Sequence, residues 1–232
     1  MTNPEEDSVD PVEKQRPLRL DALTVGSMQA GCYIVSDKAT DELMVIDPGG
    51  STDLIVESIQ MTGAGPKYIV NTHGHADHIE ANSRLKELYP DAELCIHRAD
   101  APMLDSPKRN LSGFFGAGIT SPPADRLLEE GGELHLGEQR FKVIHVPGHT
   151  PGGIALYWPG TDNVAGMLFS GDTLFAGGVG RTDFPGGDHE SLIENIRRKL
   201  FALPGDTMVF PGHGPRTTIH QEKETNPFLA EH

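Results

Sequence analysis

The chain is poor in cysteine, in aromatic residues and in positive charge. Two cysteines in 232 residues, Cys32 and Cys95, are too few for a disulfide framework. Each lies in an apolar segment, Cys32-Tyr33-Ile34-Val35 and Leu94-Cys95-Ile96, so both read as buried free thiols suited to a reducing cytoplasm. No run approaches the roughly 20 apolar residues that span a bilayer, which argues against a membrane partner. Residues 1–17 carry neither the basic nor the apolar region of a secretory leader. That acidic, proline-containing stretch reads as a disordered lead-in, and 18–232 as one domain. Nineteen Lys and Arg stand against 34 Asp and Glu, a formal charge of −15. The basic runs Lys108-Arg109 and Arg197-Arg198-Lys199 are short and isolated, so nucleic acid is a poor partner. A Gly-x-Ser-x-Gly elbow for a serine nucleophile is also missing.

What the chain concentrates is histidine. Asn71-Thr72-His73-Gly74-His75-Ala76-Asp77-His78 follows an apolar run and packs three imidazoles and a carboxylate into six residues. Neutral imidazole and carboxylate are the ligands that zinc and similar divalent metals take. Three further candidates stand on Gly-flanked turns after apolar runs: His149 in Pro147-Gly148-His149, Asp172 in Ser170-Gly171-Asp172 and His213 in Pro211-Gly212-His213. Four strand ends would thus deliver ligands on tight turns. Asp77 could alternatively cap a helix with Glu80 three residues on; beside three histidines the ligand role is preferred.

Alternation and turn signals predict strands near 18–25, 31–36, 43–47, 67–71, 93–96, 133–136, 140–146, 153–158, 166–170 and 207–210. Helices are expected over 52–62, 77–88 and 188–202, the last behind an Asp188 cap. Periodicity alone gives mixed α/β. The stretch 106–125 is rich in Gly, Pro and Ser with Phe114-Phe115 inside it, and reads as a packed loop or a flap beside the site.

The order His73-x-His75-x-Asp77-His78, His149, Asp172, His213 resembles the metallo-β-lactamase superfamily, over about residues 18–229. Gly171-Asp172-Thr173-Leu174-Phe175 and Gly180-Arg181-Thr182-Asp183-Phe184-Pro185 narrow the likeness to short, single-domain glyoxalase II-like (hydroxyacylglutathione hydrolase-like) members. The resemblance implies an αββα sandwich of two mixed β-sheets with helices on the outer faces. It implies two divalent metal ions, zinc first with iron or manganese as alternatives: His73, His75 and His149 on one, Asp77, His78 and His213 on the other, and Asp172 bridging. Seven ligands exceed the four of one tetrahedral zinc, in keeping with that partition. Asp77 and Asp172 would be catalytic as well as ligating, Asp47 in Ile46-Asp47-Pro48-Gly49 would steady a metal-bound histidine, and Arg181 would contact substrate.

The chemistry implied is hydrolysis of a small-molecule thioester or ester by a metal-bridging hydroxide. Asp172 argues against the zinc β-lactamases, whose commonest class has a cysteine there. The glutathione pocket departs from the pattern: Asp183 replaces an aromatic, Gly214-Pro215-Arg216 replaces another, and only Arg216 and Lys223 supply positive charge near the C-terminus. A structural ion pair of Arg181 with Asp183 or Asp188 is the competing role for that residue. The alternatives are a persulfide dioxygenase with one iron on His73, His149 and Asp172, or a general ester, lactone or phosphodiester hydrolase.

Overall fold

A computed structural model describes residues 16–230; most of the lead-in expected over 1–17 lies outside them. Two six-stranded sheets face each other. The first runs, edge to edge, β1 (Leu18–Val25), β2 (Ala30–Asp37), β3 (Leu43–Ile46), β4 (Pro66–Val70), β5 (Glu93–His97) and β6 (Arg126–Leu128). The second contains β7 (Glu133–Leu136), β8 (Gln139–His145), β9 (Ile154–Trp158), β10 (Met167–Gly171), β13 (Met208–Pro211) and β14 (Thr217–Thr218). A short hairpin of β11 (Leu174–Phe175) and β12 (Gly178–Val179) stands apart. Both sheets are mixed: β3 to β6 are parallel neighbours, as are β10 and β13, and the other pairs are antiparallel.

The period of two along each strand sorts side chains into layers. Tyr33, Val35, Tyr68 and Val70 point between the sheets, where they meet Phe141, Val143, Leu156 and Phe169. The alternate residues Cys32, Ile34 and Ile69 face outward under α1 (Thr52–Thr62), α2 (Ala76–Ile79) and α3 (Asn82–Leu88), which cover them with Ile55, Ile59, Ile79 and Leu85. On the far side Val146, Leu168 and Val209 are covered by α4 (His189–Asn195), its π-helical continuation Ile196–Leu200, and α5 (Ile219–Thr225). This is the αββα order. Both thiols are buried and free, as expected. Among the described residues no helix is long and apolar enough to cross a membrane.

The helix expected over 77–88 is two helices. Ala81 N–H donates to Pro48 O at 2.9 Å instead of continuing the ladder, so the chain bends between α2 and α3. Asp188 caps α4 as anticipated, accepting from Ser191 N at 3.0 Å. The stretch 106–125 is a packed loop at its base, where Asn110 and Ser112 are buried and bonded to Ile119; Phe114 is exposed.

An aromatic trio joins the sheets: the Tyr33 ring lies 5.2 Å from Phe169 and 5.7 Å from Phe210, and the two phenylalanines stack at 5.4 Å. Phe169→Ala is expected to destabilise by about 3–5 kcal/mol, the range for a buried Phe in a layer that cannot collapse. Chemical denaturation checks this; a loss below about 1 kcal/mol would mean that the layer repacks freely.

Candidate metal centre

The site lies where strand direction places it. β3, β4 and β5 run parallel, so their C-terminal ends share one end of the sandwich. β10 and β13 are parallel, and β8 joins them in direction through antiparallel β9. Cross-sheet hydrogen bonds tie these ends together: Gly31 N–H to Gly212 O (2.7 Å), Ile154 N–H to Thr72 O (2.9 Å), and Tyr33 OH to Pro211 O (2.6 Å).

All seven predicted ligand residues converge here. His73, His75 and His149 offer nitrogens within 4.8 Å of one another; so do the donor atoms of Asp77, His78 and His213, and of His73, His78 and Asp172. Asp172 stands between the first two sets. Its Oδ1 is 3.5 Å from His78 Nε2, and its Oδ2 is 3.6 Å from both His149 Nε2 and His213 Nε2. Asp77 does not cap its helix: the cap position is His75, without a side-chain bond, and Asp77 Oδ2 instead meets His213 Nε2 at 3.1 Å. Gly212 is required by this crowding, because a methyl there would overlap Oδ1 of Asp172. Gly171, at φ 48°, turns the chain into Asp172 against the Thr72 hydroxyl.

Three of the five imidazoles, those of His73, His78 and His149, are oriented from behind. Asp47, at φ 51° just after β3, accepts from Thr72 N and Thr72 Oγ1, both at 2.7 Å. Because that hydroxyl donates to Asp47, it accepts from His73 Nδ1 at 3.1 Å, which assigns the Nε2 lone pair to the cluster. Asp47 Oδ2 also lies 3.1 Å from His78 Nδ1. His149 Nδ1 donates to the Arg181 carbonyl at 2.7 Å, leaving its Nε2 to face His75 Nδ1 at 2.9 Å.

The set fits divalent cations. His73 Nε2, His78 Nε2 and Asp172 Oδ1 are buried without a hydrogen-bond partner, a cost that proteins avoid unless an ion or water supplies the partner. Burial and the surrounding imidazoles hold His73 well below the usual imidazole range. Burial and His149 push His75 down to about 3. Those are neutral rings, the form that ligates. Burial opposes charge on His78, but Asp77, Asp172 and Asp47 overcome it and raise the ring to about 10. Hydrogen bonding to Asp77 raises His213. Burial works against ionised Asp77, yet His78 and His213 hold its carboxyl below the usual range. Cationic character is thus favoured at the carboxylate-rich side of the cluster.

Arg181 makes one of the ion pairs weighed above against a substrate contact. Its guanidinium makes a two-pronged pair with Asp183, Nε to Oδ1 and Nη2 to Oδ2 at 2.8 Å each, and lies 4.1 Å over the Phe184 ring. That ring meets His75 edge-on at 6.0 Å. The Asp183 pairing is the structural alternative considered above; what Arg181 gives the centre directly is its main-chain carbonyl.

One residue here was not singled out from the sequence. Asp100, fully buried three residues after β5, accepts from Gly74 N (3.1 Å), Thr150 Oγ1 (2.7 Å) and Gly152 N (2.6 Å). It thereby clamps the His73–His75 turn to the His149 turn, and burial raises its carboxyl. The signal was partial: Asp100, like Asp47, is an aspartate that follows a strand of the same parallel set, though at three residues' distance. Asp100→Asn turns an amide NH2 toward one of these donors, so a loss of about 1–3 kcal/mol and weaker metal loading are expected. Denaturation and metal titration of the variant check both; unchanged values would mean that the turns hold their own geometry.

A family model described as the metallo-β-lactamase superfamily matches residues 26–213. A probable metallo-hydrolase of Bacillus subtilis, YqgX, is 39% identical over 209 residues, covering 89% of this chain and 95% of its own. Hydroxyacylglutathione hydrolase GloC of Haemophilus influenzae is 36% identical over 213 residues, covering 91% and 98%. Among solved structures, the BLEG-1 B3 metallo-β-lactamase superimposes with a TM-score of 0.85 at 35% identity, covering 92% of this chain and all of that one. TTHA1623 in a di-iron-bound form gives 0.78 at 39%, covering 90% and 100%. ETHE1 from Myxococcus xanthus gives 0.73 at 29%, covering 90% and 83%. With its fold, its ordered His and Asp set and these relatives in agreement, the chain belongs to the metallo-β-lactamase superfamily.

Proposed function

We propose that this protein hydrolyses a thioester of the hydroxyacylglutathione type at a centre of two divalent metal ions. The observation that carries the reading is the position of Asp172, whose two oxygens address His78 on one side and His149 and His213 on the other. His73, His75 and His149 would hold one ion, Asp77, His78 and His213 the second, with Asp172 between them. Divalent ions so placed supply Lewis-acid chemistry, acidifying water and polarising a carbonyl oxygen. The protein's own contribution is orientation. Asp47 and Thr72 fix His73, Asp47 fixes His78, and the Arg181 carbonyl fixes His149. Asp77, the more exposed of the two carboxylates at 21% against 12%, is the acceptor best placed to pass a proton outward. GloC, matched over nearly its whole length, supports the substrate class. The formal charge of −15 makes a small molecule a better substrate than a nucleic acid.

A second reading, persulfide oxidation at one iron held by His73, His149 and Asp172, draws on the likeness to ETHE1. The higher identity to GloC, 36% against 29%, favours the hydrolase.

The deciding assay is hydrolysis of S-lactoylglutathione, with and without chelator treatment. Chelator-sensitive turnover at a kcat/KM of about 10⁴ M⁻¹s⁻¹ or above is expected. Oxygen uptake with glutathione persulfide, or turnover of a chromogenic cephalosporin in its place, would replace this reading. His75→Ala should lose metal and at least 100-fold in kcat while remaining folded; full activity at an unchanged metal content would remove His75 from the site. Arg181→Ala should change kcat/KM by less than about fivefold, since its charge is taken up by Asp183; a larger loss, confined to KM, would restore Arg181 as a substrate contact.

A further inference from the structure

The thioester reading leaves the anionic half of the substrate without a partner, because Arg181 is paired with Asp183. A different cluster is available. A cavity of about 630 Å³ opens along edge strand β1, between the two sheets, within the roughly 300–1,000 Å³ typical of small-molecule sites. Its floor is apolar, with Leu20, Tyr33 and Phe210. Its walls gather Arg16, Arg19, Lys38 and Arg216, against the single carboxylate of Asp21. That is a local excess of positive charge in a chain with 34 acidic and 19 basic residues.

The cations come from four separate places: the approach to β1, β1 itself, the turn after β2, and the loop before β14. Arg19 meets Asp21 at 3.2 Å. Arg16 has its Nε buried without a hydrogen-bond partner. Arg216 is exposed and makes no ion pair among the described residues. The cavity also begins beside the metal centre: Gly214, next to His213, lines it, and so does Gly31, whose N–H holds Gly212.

We propose that this cavity binds the anionic end of a thioester's carrier thiol. Arg16 and Arg216 take carboxylate or phosphate groups, the arm lies over Tyr33 and Phe210, and the reacting end reaches the His213 turn. Guanidinium groups suit both anions, since they present paired donors in a plane. Two carriers share this chemistry, a peptide thiol bearing carboxylates and a nucleotide thiol bearing phosphates. Naming the ligand as a carrier rests on the thioester reading; the anion site itself does not.

The experiment is calorimetric titration of the metal-loaded protein with two probes that lack a free thiol, S-methylglutathione and adenosine 3′,5′-bisphosphate. One of them should bind at one per chain with a Kd below about 1 mM, weakening with added salt. Arg16→Ala and Arg216→Ala should each weaken it about fivefold, and the double variant more; metal content and circular dichroism verify that the variants are folded. The probe that binds identifies the carrier. Binding of neither probe at low ionic strength, or equal binding by wild type and the double variant, would overturn the site. Because no turnover is read, a protein that binds a probe but leaves thioesters intact keeps the site and loses the thioester reading. A protein that cleaves thioesters but binds neither probe does the reverse.

Discussion

Seven side chains rich in lone pairs and negative charge stand within a few ångströms of one another, and the end of the sandwich that holds them is organised around that crowding. Left alone, buried atoms such as His73 Nε2 and Asp172 Oδ1 have no hydrogen-bond partner. The structure holds them by fixing the outer edge of the rings. Asp47 reaches His78 directly and His73 through Thr72, while Asp100 clamps the turns that carry His75 and His149; both are at most 1% exposed and gather donors from turns on other strands. Two inward carboxylates thus sit in front of two outward ones, with the imidazoles between. Removing an outward carboxylate acts on several ligands at once, which is why such residues matter nearly as much as the ligands themselves.

The sandwich makes this arrangement affordable in backbone terms. Parallel β3, β4 and β5 bring three loop starts together, and β8, β10 and β13 bring three more from the facing sheet. Where turns from the two sheets touch, glycine is the residue that fits: Gly212 lies against Asp172 and His78, and Gly49 against the main chain of Asp77. The same contact of the Asp47-Pro48-Gly49 turn, through Pro48 O, bends the chain between α2 and α3.

Much of this was legible in the sequence. The ligand turns announced themselves because each combines an apolar run, a glycine and a ligand-type side chain within a few residues. Ten predicted strands correspond to ten in the structure, since alternation reports a face buried between sheets. The short β6, β11, β12 and β14 escaped because two or three residues carry no period. Helix α5 escaped because its buried face is only Ile219 and Glu222, although Thr218 followed by Gln221 was a readable cap, and the Thr218 hydroxyl does accept from Gln221 N. Asp100 lacks the flanking glycine that marked the others. The basic cavity was invisible for a different reason: Arg16, Lys38 and Arg216 are far apart in sequence, and only the closure of β1 over the second sheet makes them neighbours.

The two thiols have a further consequence. Burial pushes Cys32 well above the ordinary thiol range and Cys95 up to about 12, and neither lines the cluster. Exchange with a disulfide requires an accessible thiolate. If the proposed thioester hydrolysis releases a thiol, that thiol once oxidised to a disulfide could cap a reactive cysteine by exchange, and among the clustered candidate ligands there is no sulfur to be capped. A candidate centre built only from nitrogen and oxygen donors is thereby spared disulfide exchange with the thiols around it.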